Sequence, residues 1–93
     1  MTNVQNQNND ITIQNVQNFI EYMCKQLVDK PDEVKVNSVE TEKQVIYELV
    51  VGVGDYGKVI GKRGRNISAL RTLVRAINAK QGGKWTRLDV IDQ

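Results

Sequence analysis

Five glycines fall within residues 52–64, and three cations, Lys62, Arg63 and Arg65, lie around the last of them. Because glycine has no Cβ, a loop of this kind lets a phosphate group approach the main-chain amides closely. Three patterns overlap in the run, and each would hold a different anion: a dinucleotide, a nucleoside triphosphate or a nucleic-acid backbone. The residues that surround each pattern distinguish between them.

Two of the patterns lack residues that their chemistry needs. The sequence GVGDYG at residues 52–57 has the glycine spacing of a dinucleotide-binding turn, but Gly61 interrupts the helix that would hold the pyrophosphate. The acidic residue expected about twenty positions later, for the ribose, is also missing. Residues 52–58 match a nucleotide-binding GxxxxGK loop, yet Val59 stands where a Ser or Thr hydroxyl must bind magnesium. Both interpretations are therefore disfavoured.

The third pattern is Gly61-Lys62-Arg63-Gly64, between two predicted helices. Two glycines three positions apart allow a tight turn, which exposes the amides of residues 62–64 to a nucleic-acid backbone. The start of the following helix adds a positive dipole end, and the side chains of Lys62, Arg63 and Arg65 add charge. A plain corner between helices needs only one glycine. The pattern therefore predicts a loop that binds nucleic-acid phosphates.

Charge and composition point to binding rather than catalysis. Residues 55–87 carry nine Lys or Arg against Asp55 alone, whereas residues 1–54 carry eight acids and four Lys. So dense a basic segment is typical of a surface that binds a polyanion. With one Cys and no His, the chain has almost no material for a zinc site or a His-based triad. We expect no enzyme, no cofactor, no metal and no small-molecule substrate.

The 93 residues predict a single domain. The first ten include six Asn or Gln, so residues 1–12 are predicted to form a disordered leader and residues 13–93 the domain. No apolar run approaches the ~20 residues of a membrane span, and no secretory signal opens the chain. The single cysteine agrees with a reducing compartment. We therefore expect a cytoplasmic protein without membrane insertion.

Hydrophobic spacing predicts the order helix, strand, strand, short helix, helix, strand. The elements cover residues 13–29, 34–41, 44–53, 55–60, 65–80 and 84–91. Proline at position 31 ends the first helix, and Gly82-Gly83 ends the long second-half helix. A shift in the alternation predicts a bulge near Asn37, and Asp55 is placed to cap the short helix. Three strands with three helices on one face make a two-layer α+β sandwich.

Apolar positions in these elements predict which side chains point inward. In the second strand these are Val45, Tyr47, Leu49, Val51 and Val53. In the long second-half helix they are Ile67, Leu70, Leu73, Val74 and Ile77. Trp85 has the opposite parity to the inward residues Leu88 and Val90 of the last strand. We expect this tryptophan to shield the sheet edge or to contact a partner rather than to stack a base.

The string VIGKRGRNI, residues 59–67, resembles the signature of the K-homology (KH) domain, a GxxG loop between two helices. The order αββααβ resembles the type II, prokaryotic form of that fold. With NFIEY, DKPDEV and YGKVIG in order, nearly the whole chain is similar to the small stand-alone bacterial KH proteins of the KhpA type. The resemblance implies a three-stranded mixed sheet with three helices on one face.

The resemblance also implies a site for about four nucleotides of single-stranded RNA, with the backbone on the loop and the bases in an apolar groove. The residues implied to hold phosphates are Gly61, Lys62, Arg63 and Gly64. Those implied to form the groove floor are Val59, Ile60 and Ile67, and those along its rim are Arg65, Ser68 and Arg71. We expect the turn at residues 41–44 to form the opposite wall.

Partners follow from the same resemblance. Proteins of this type self-associate, pair with a larger KH-containing protein of the KhpB (Jag) type, and are linked to RNA chaperoning and to control of the cell envelope and cell shape. We therefore expect a homodimer, a heterocomplex, or both. An alternative is that the KH fold serves mainly as a protein-interaction module, with Val59, Ile60 and the glycine loop meeting a second subunit.

Overall fold

The computed structural model describes the backbone of residues 3–80 and 84–92 and the side chains of residues 12–80 and 84–92. The helices are α1 (Asn3–Lys25), α2 (Tyr56–Ile60) and α3 (Arg65–Lys80), and the strands are β1 (Lys35–Glu40), β2 (Gln44–Val50) and β3 (Trp85–Ile91). Single 3-10 turns lie at Pro31–Glu33 and Lys62–Gly64. The predicted αββααβ order is confirmed.

The three strands form one mixed sheet in the order β1-β2-β3. β1 pairs antiparallel with β2, and β3 pairs parallel with β2, with Gln44 opposite Trp85 and Val50 opposite Ile91. α1 packs on β1 and β2, α3 packs on β3, and α2 packs on α3. The core between the two layers includes Val16, Ile20, Tyr47, Leu49, Val59, Val74 and Leu88. The predicted two-layer α+β class is therefore confirmed.

Helix α1 differs from the sequence expectation at both ends. It begins at Asn3, well before residue 13, because no Gly or Pro interrupts the segment and Gln is a good helix former. It ends at Lys25, where the amides of Gln26 and Leu27 bond three residues back and close the last turn. The helix thus covers much of the segment predicted to be disordered; a leader separate from the domain stays a prediction.

Strand β1 contains no bulge. Its pairing with β2 runs one to one from Lys35 opposite Val50 to Glu40 opposite Val45, so the predicted bulge near Asn37 is wrong. The alternation continues through Ser38, whose hydroxyl bonds the Gln17 side chain of α1. Val39 consequently lies on the outer face of the sheet, 47% exposed. The bulge was predicted because Val39 is apolar and was expected to face inward.

Two side chains that were predicted to point inward are exposed. Val53 is exposed, because β2 ends at Val50 and the chain leaves the sheet there. Leu73 is 48% exposed, since successive helix residues are about 100° apart and it lies beside the buried stripe that contains Leu70 and Val74. The other inward residues of α3 pack as predicted. The predicted helix end at Gly82-Gly83 lies outside the described residues.

Candidate nucleic-acid interface

The glycine loop (residues 61–64) reverses the chain between α2 and α3 through three positive φ angles. Gly61 has φ 77° and ψ 173°, a region that only glycine occupies readily. Arg63 has φ 56° and ψ 27°, the left-handed helical region, and Gly64 has φ 74°. The Gly61 amide still bonds the Gly57 carbonyl at 2.9 Å and so closes α2. The spacing of the two glycines thus matches the positions where the backbone demands them.

The two glycines are required for different reasons. A Cβ on Gly61 would lie 2.6 Å from Cγ of Asn66, so the loop has no room for any side chain there. Asn66 itself donates from Nδ2 to the Lys58 carbonyl at 2.9 Å and holds the end of α2. A Cβ on Gly64 would meet nothing within 4 Å. Gly64 is therefore required only for its positive φ angle, and the space above it is open to a ligand.

The loop offers two main-chain donors rather than the predicted three. The Gly64 amide donates to the Gly61 carbonyl at 3.0 Å, and the Arg65 amide donates to the Lys62 carbonyl. Neither is free for a phosphate. Among the described residues, the amides of Lys62 and Arg63 make no comparable turn or capping bond to the main chain. These two amides are therefore the available phosphate donors.

Three exposed cations lie at the same place. Lys62, Arg63 and Arg65 are exposed, and no carboxylate of the described residues forms an ion pair with them. By contrast, Lys58 at the other end of α2 pairs with Asp29 at 3.3 Å. A cation without a partner keeps its full charge for a polyanion. The geometry therefore supports the phosphate-binding loop predicted from the sequence.

Asp55 stands at the N-cap position of α2, but its side chain does not cap the helix as predicted. Its side chain makes no capping bond; its two carboxylate oxygens accept from the backbone amides of Asp29, at 3.2 Å, and Lys30, at 3.0 Å. The side chain is buried, with the residue only 2% exposed. Asp55 thus ties the segment after α1 to the start of α2. This tie holds in place the helix that leads into the glycine loop.

Only one of the three predicted floor residues offers a surface. Val59 and Ile67 are buried in the core, whereas Ile60 is half-buried and packs against its edge. Val59 and Ile67 therefore support the site from below and do not face a ligand. The exposure of Ile60 leaves it as the apolar contact next to the glycine loop.

The predicted rim residues separate along α3. Ser68 is exposed, one turn after Arg65. Arg71 turns toward β3, where its Nε and Nη2 donate to the Leu88 carbonyl at 3.1 and 2.9 Å. That contact joins α3 to the edge strand of the sheet. Arg71 therefore has a structural role that its position in the sequence did not reveal.

The turn between β1 and β2 (residues 41–44) is not the opposite wall of the loop. The Trp85 amide donates to the Lys43 carbonyl, so the turn lies beside the start of β3, which follows the C-terminal end of α3. The glycine loop precedes the N-terminal end of the same helix. Its 16 residues span about 24 Å at 1.5 Å each. The expectation of a wall at residues 41–44 is therefore wrong.

The buried titratable side chains belong to the core. Burial raises the pKa of the Cys24 thiol to about 11. Burial, and secondarily the charge of Glu40, raises the pKa of the Tyr47 hydroxyl to about 12. Both groups are neutral near pH 7, and the free thiol of Cys24 packs in the core.

The described residues contain no cluster of three or more His, Cys, Asp or Glu arranged to hold a metal ion. None of their helices combines the length and the apolar character needed to cross a bilayer.

Comparison with known proteins places the whole site within one family match. A family model described as the KhpA/KhpB KH domain matches residues 17–90. The RNA-binding protein KhpA of Borreliella burgdorferi is 49% identical over 74 residues, 80% of this chain and 89% of that protein. The proteins of the same name in Chlamydia trachomatis serovar D and Aquifex aeolicus are 43% and 46% identical, over 81% and 83% of this chain and 95% and 96% of theirs. No solved structure gives a significant match.

Proposed function

Because the chain belongs to the KhpA/KhpB family of KH domains, we propose that it binds single-stranded RNA. The observation that carries the proposal is the coincidence, on and beside the glycine loop, of two available amides with three cations that pair with no carboxylate of the described residues. RNA phosphates would bind the amides of Lys62 and Arg63 and the side chains of Lys62, Arg63 and Arg65. The relatives named RNA-binding proteins cover most of this chain, which supports the same function.

The bases of the strand would lie beside the loop. Ile60 supplies the apolar contact, and the exposed Ser68 on α3 supplies a hydroxyl among the predicted rim residues. A KH domain holds about four nucleotides in this way. With so short a contact, we expect the loop by itself to bind RNA weakly and with little sequence preference.

The proposal is tested by reversing charge on the loop. Lys62→Asp with Arg63→Asp should abolish the fluorescence anisotropy change of a labelled single-stranded RNA while the circular dichroism spectrum stays native. The single variants Lys62→Asp and Arg63→Asp should each weaken binding. Lys35→Asp, in an exposed part of β1, is their control, since it makes the same change of charge away from the loop. RNA binding of wild-type strength by the double variant would show that the loop is not the site.

The cellular role is a finer part of the proposal. We propose an RNA chaperone or post-transcriptional regulator in the cytoplasm, acting with a larger KhpB-type protein and linked to the cell envelope and cell shape. The inclusion of KhpB in the matching family model supports that choice of partner. Crosslinking in cells, mapped to peptide and transcript, tests it: RNA crosslinked to residues 61–65 is the expected result.

A second candidate function is assembly with a second copy or a related KH protein. The favouring observation is Leu73, 48% exposed on the outer side of α3 between the small exposed residues Ala69 and Ala76. Val59 is fully buried and has no surface to offer a subunit. Light scattering of the wild type and of Leu73→Asp, each with and without RNA, tests assembly on α3. A dimer that Leu73→Asp disrupts while RNA binding persists would place the two functions on separate surfaces.

A further inference from the structure

A cavity of about 540 Å³ lies at the end of α3 opposite the glycine loop. Its walls come from three elements: Arg75 and Ala79 of α3, Trp85 and Thr86 of β3, and Lys43 of the turn between β1 and β2. Ligand pockets commonly have volumes of about 300–1,000 Å³. The cavity is therefore large enough for a nucleotide, and it has no part in the site described above.

The walls of the cavity are joined to one another by hydrogen bonds. The Trp85 amide donates to the Lys43 carbonyl at 3.2 Å. The Asn78 side chain of α3 donates to the Lys84 carbonyl, and Lys84 Nζ bonds Glu40 at 2.8 Å and the Thr41 carbonyl at 2.6 Å. The turn, the start of β3 and the end of α3 thus form one connected frame. The cavity is pre-formed rather than dependent on a partner.

Trp85 is 81% exposed and is not packed over the sheet edge. The expectation that it shields this edge is therefore wrong. Trp85 is the only tryptophan in the chain. An exposed indole presents a flat face, and aromatic faces bind the bases of single strands by stacking. The exposure of Trp85 therefore favours base stacking, the role that its position in the sequence disfavoured.

The charges around the cavity favour an anionic partner. Lys43 and Arg75 form no ion pair with any carboxylate of the described residues. Glu42 is the one acid in the lining. The described lining therefore carries more positive than negative charge, which suits an anionic partner such as an RNA strand.

We propose that the cavity is a second nucleotide site, in which Trp85 stacks a base and Lys43 and Arg75 bind the adjoining phosphates. The inference rests on the proposed RNA binding and extends it from one end of α3 to the other. Since α3 spans about 24 Å, a strand must be longer than the few nucleotides held by the loop to occupy both sites fully. Affinity should therefore rise with RNA length, and Trp85 should account for the rise.

The test uses the full chain and two labelled oligouridylates, of about four and about twelve nucleotides. Saturation with the longer RNA should quench the fluorescence of Trp85, while the shorter one, held on the loop, quenches it far less. Trp85→Ala should weaken binding of the longer RNA between about 5-fold and about 150-fold, the range measured for loss of a base-stacking residue, and should leave the shorter RNA almost unaffected. Trp85→Phe should retain most of the affinity.

The controls separate this inference from the proposed function. Tyr22→Ala removes an aromatic ring of α1 that is 64% exposed and should change neither affinity. If the loop variant Lys62→Asp/Arg63→Asp abolishes binding but Trp85→Ala binds the longer RNA like the wild type, the second site is wrong and the first stands. Absence of RNA binding by the wild type overturns both. Tryptophan fluorescence that responds to protein concentration and not to RNA assigns the cavity to a protein contact and overturns the inference.

Discussion

Asn66 occupies the space that a Cβ on Gly61 would need. Its Cγ lies 2.6 Å from that position, while its Nδ2 holds the Lys58 carbonyl at the end of α2. One side chain therefore closes the short helix and excludes every residue but glycine from the first position of the loop. The proposed phosphate-binding surface is shaped from beneath by a residue that does not carry charge.

Gly61→Ala should destabilise the protein far more than Gly64→Ala. Both positions have positive φ, which costs an L-residue about 1–2 kcal/mol, but only Gly61 also meets a neighbour. We expect losses in the free energy of unfolding of about 3 and about 1 kcal/mol, measured by urea denaturation. Combining Gly61→Ala with Asn66→Ala should cost less than the sum of the two single changes. Equal losses at the two glycines would contradict the role of Asn66.

Arg63→Gly should separate stability from binding. Arg63 adopts φ 56°, where glycine relieves strain but gains entropy in the unfolded chain. These effects oppose each other, so the free energy of unfolding should stay within about 1 kcal/mol of the wild type. RNA affinity should fall, because one of three unpaired cations is lost. A variant that binds RNA as well as the wild type would show that the Arg63 side chain contributes only to loop shape.

RNA affinity should depend on salt in proportion to the loop charges. If Lys62, Arg63 and Arg65 each neutralise one phosphate, a four-nucleotide RNA should give a log–log slope of about −2, from about −0.7 per contact on a single strand. Lys62→Ala should reduce the slope to about −1.4. Titrations across a series of salt concentrations measure it, with Lys35→Ala as the control. An unchanged slope for Lys62→Ala would place that lysine outside the contact.

Removing the Asp55 carboxylate should destabilise the fold, although Asp55 itself lies outside the glycine loop. Two buried backbone amides would lose their acceptor, so Asp55→Ala should cost about 3 kcal/mol, and Asp55→Asn, which keeps one oxygen, roughly half of that. The exposed Asp32, two residues beyond the amide of Lys30, supplies the control Asp32→Ala. Urea denaturation measures all three. A negligible effect of Asp55→Ala would mean that water replaces the carboxylate.

Stability should fall at alkaline pH and not around neutrality. Cys24 and Tyr47 hold their protons more tightly when folded, with pKa values of about 11 and about 12 against 9.0 and 10.0 ordinarily. The unfolded chain therefore loses these protons first, and the free energy of unfolding decreases as the pH rises above about 9, up to the folded pKa values. Urea denaturation from about pH 7 to about pH 10.5 measures the decrease. In Cys24→Ala, the part that begins near pH 9 should disappear.

Much of the fold follows from local patterns. The alternation of Val45, Tyr47 and Leu49 and the spacing of Leu70 and Val74 predict the elements, because burying one face of a strand or helix imposes a period of two or about 3.6 residues. The same patterns placed Val53 and Leu73 inward, although both are exposed. Whether an apolar residue at the edge of a stripe is covered depends on which neighbour packs there, and no local pattern contains that information.

The glycine loop was identifiable from its sequence because its requirements are local: two of its three positive φ angles fall on glycines, and adjacent cations need no distant partner. The roles of Asp55, Asn66 and Arg71 were decided by the tertiary structure, since each side chain bonds a main-chain group at least eight residues away. Long-range packing alone also brought Trp85 and Arg75 to one cavity and the turn at residues 41–44 to the far end of α3. Sequence spacing fixes which residues share an element, but the distance between elements is set by how they pack.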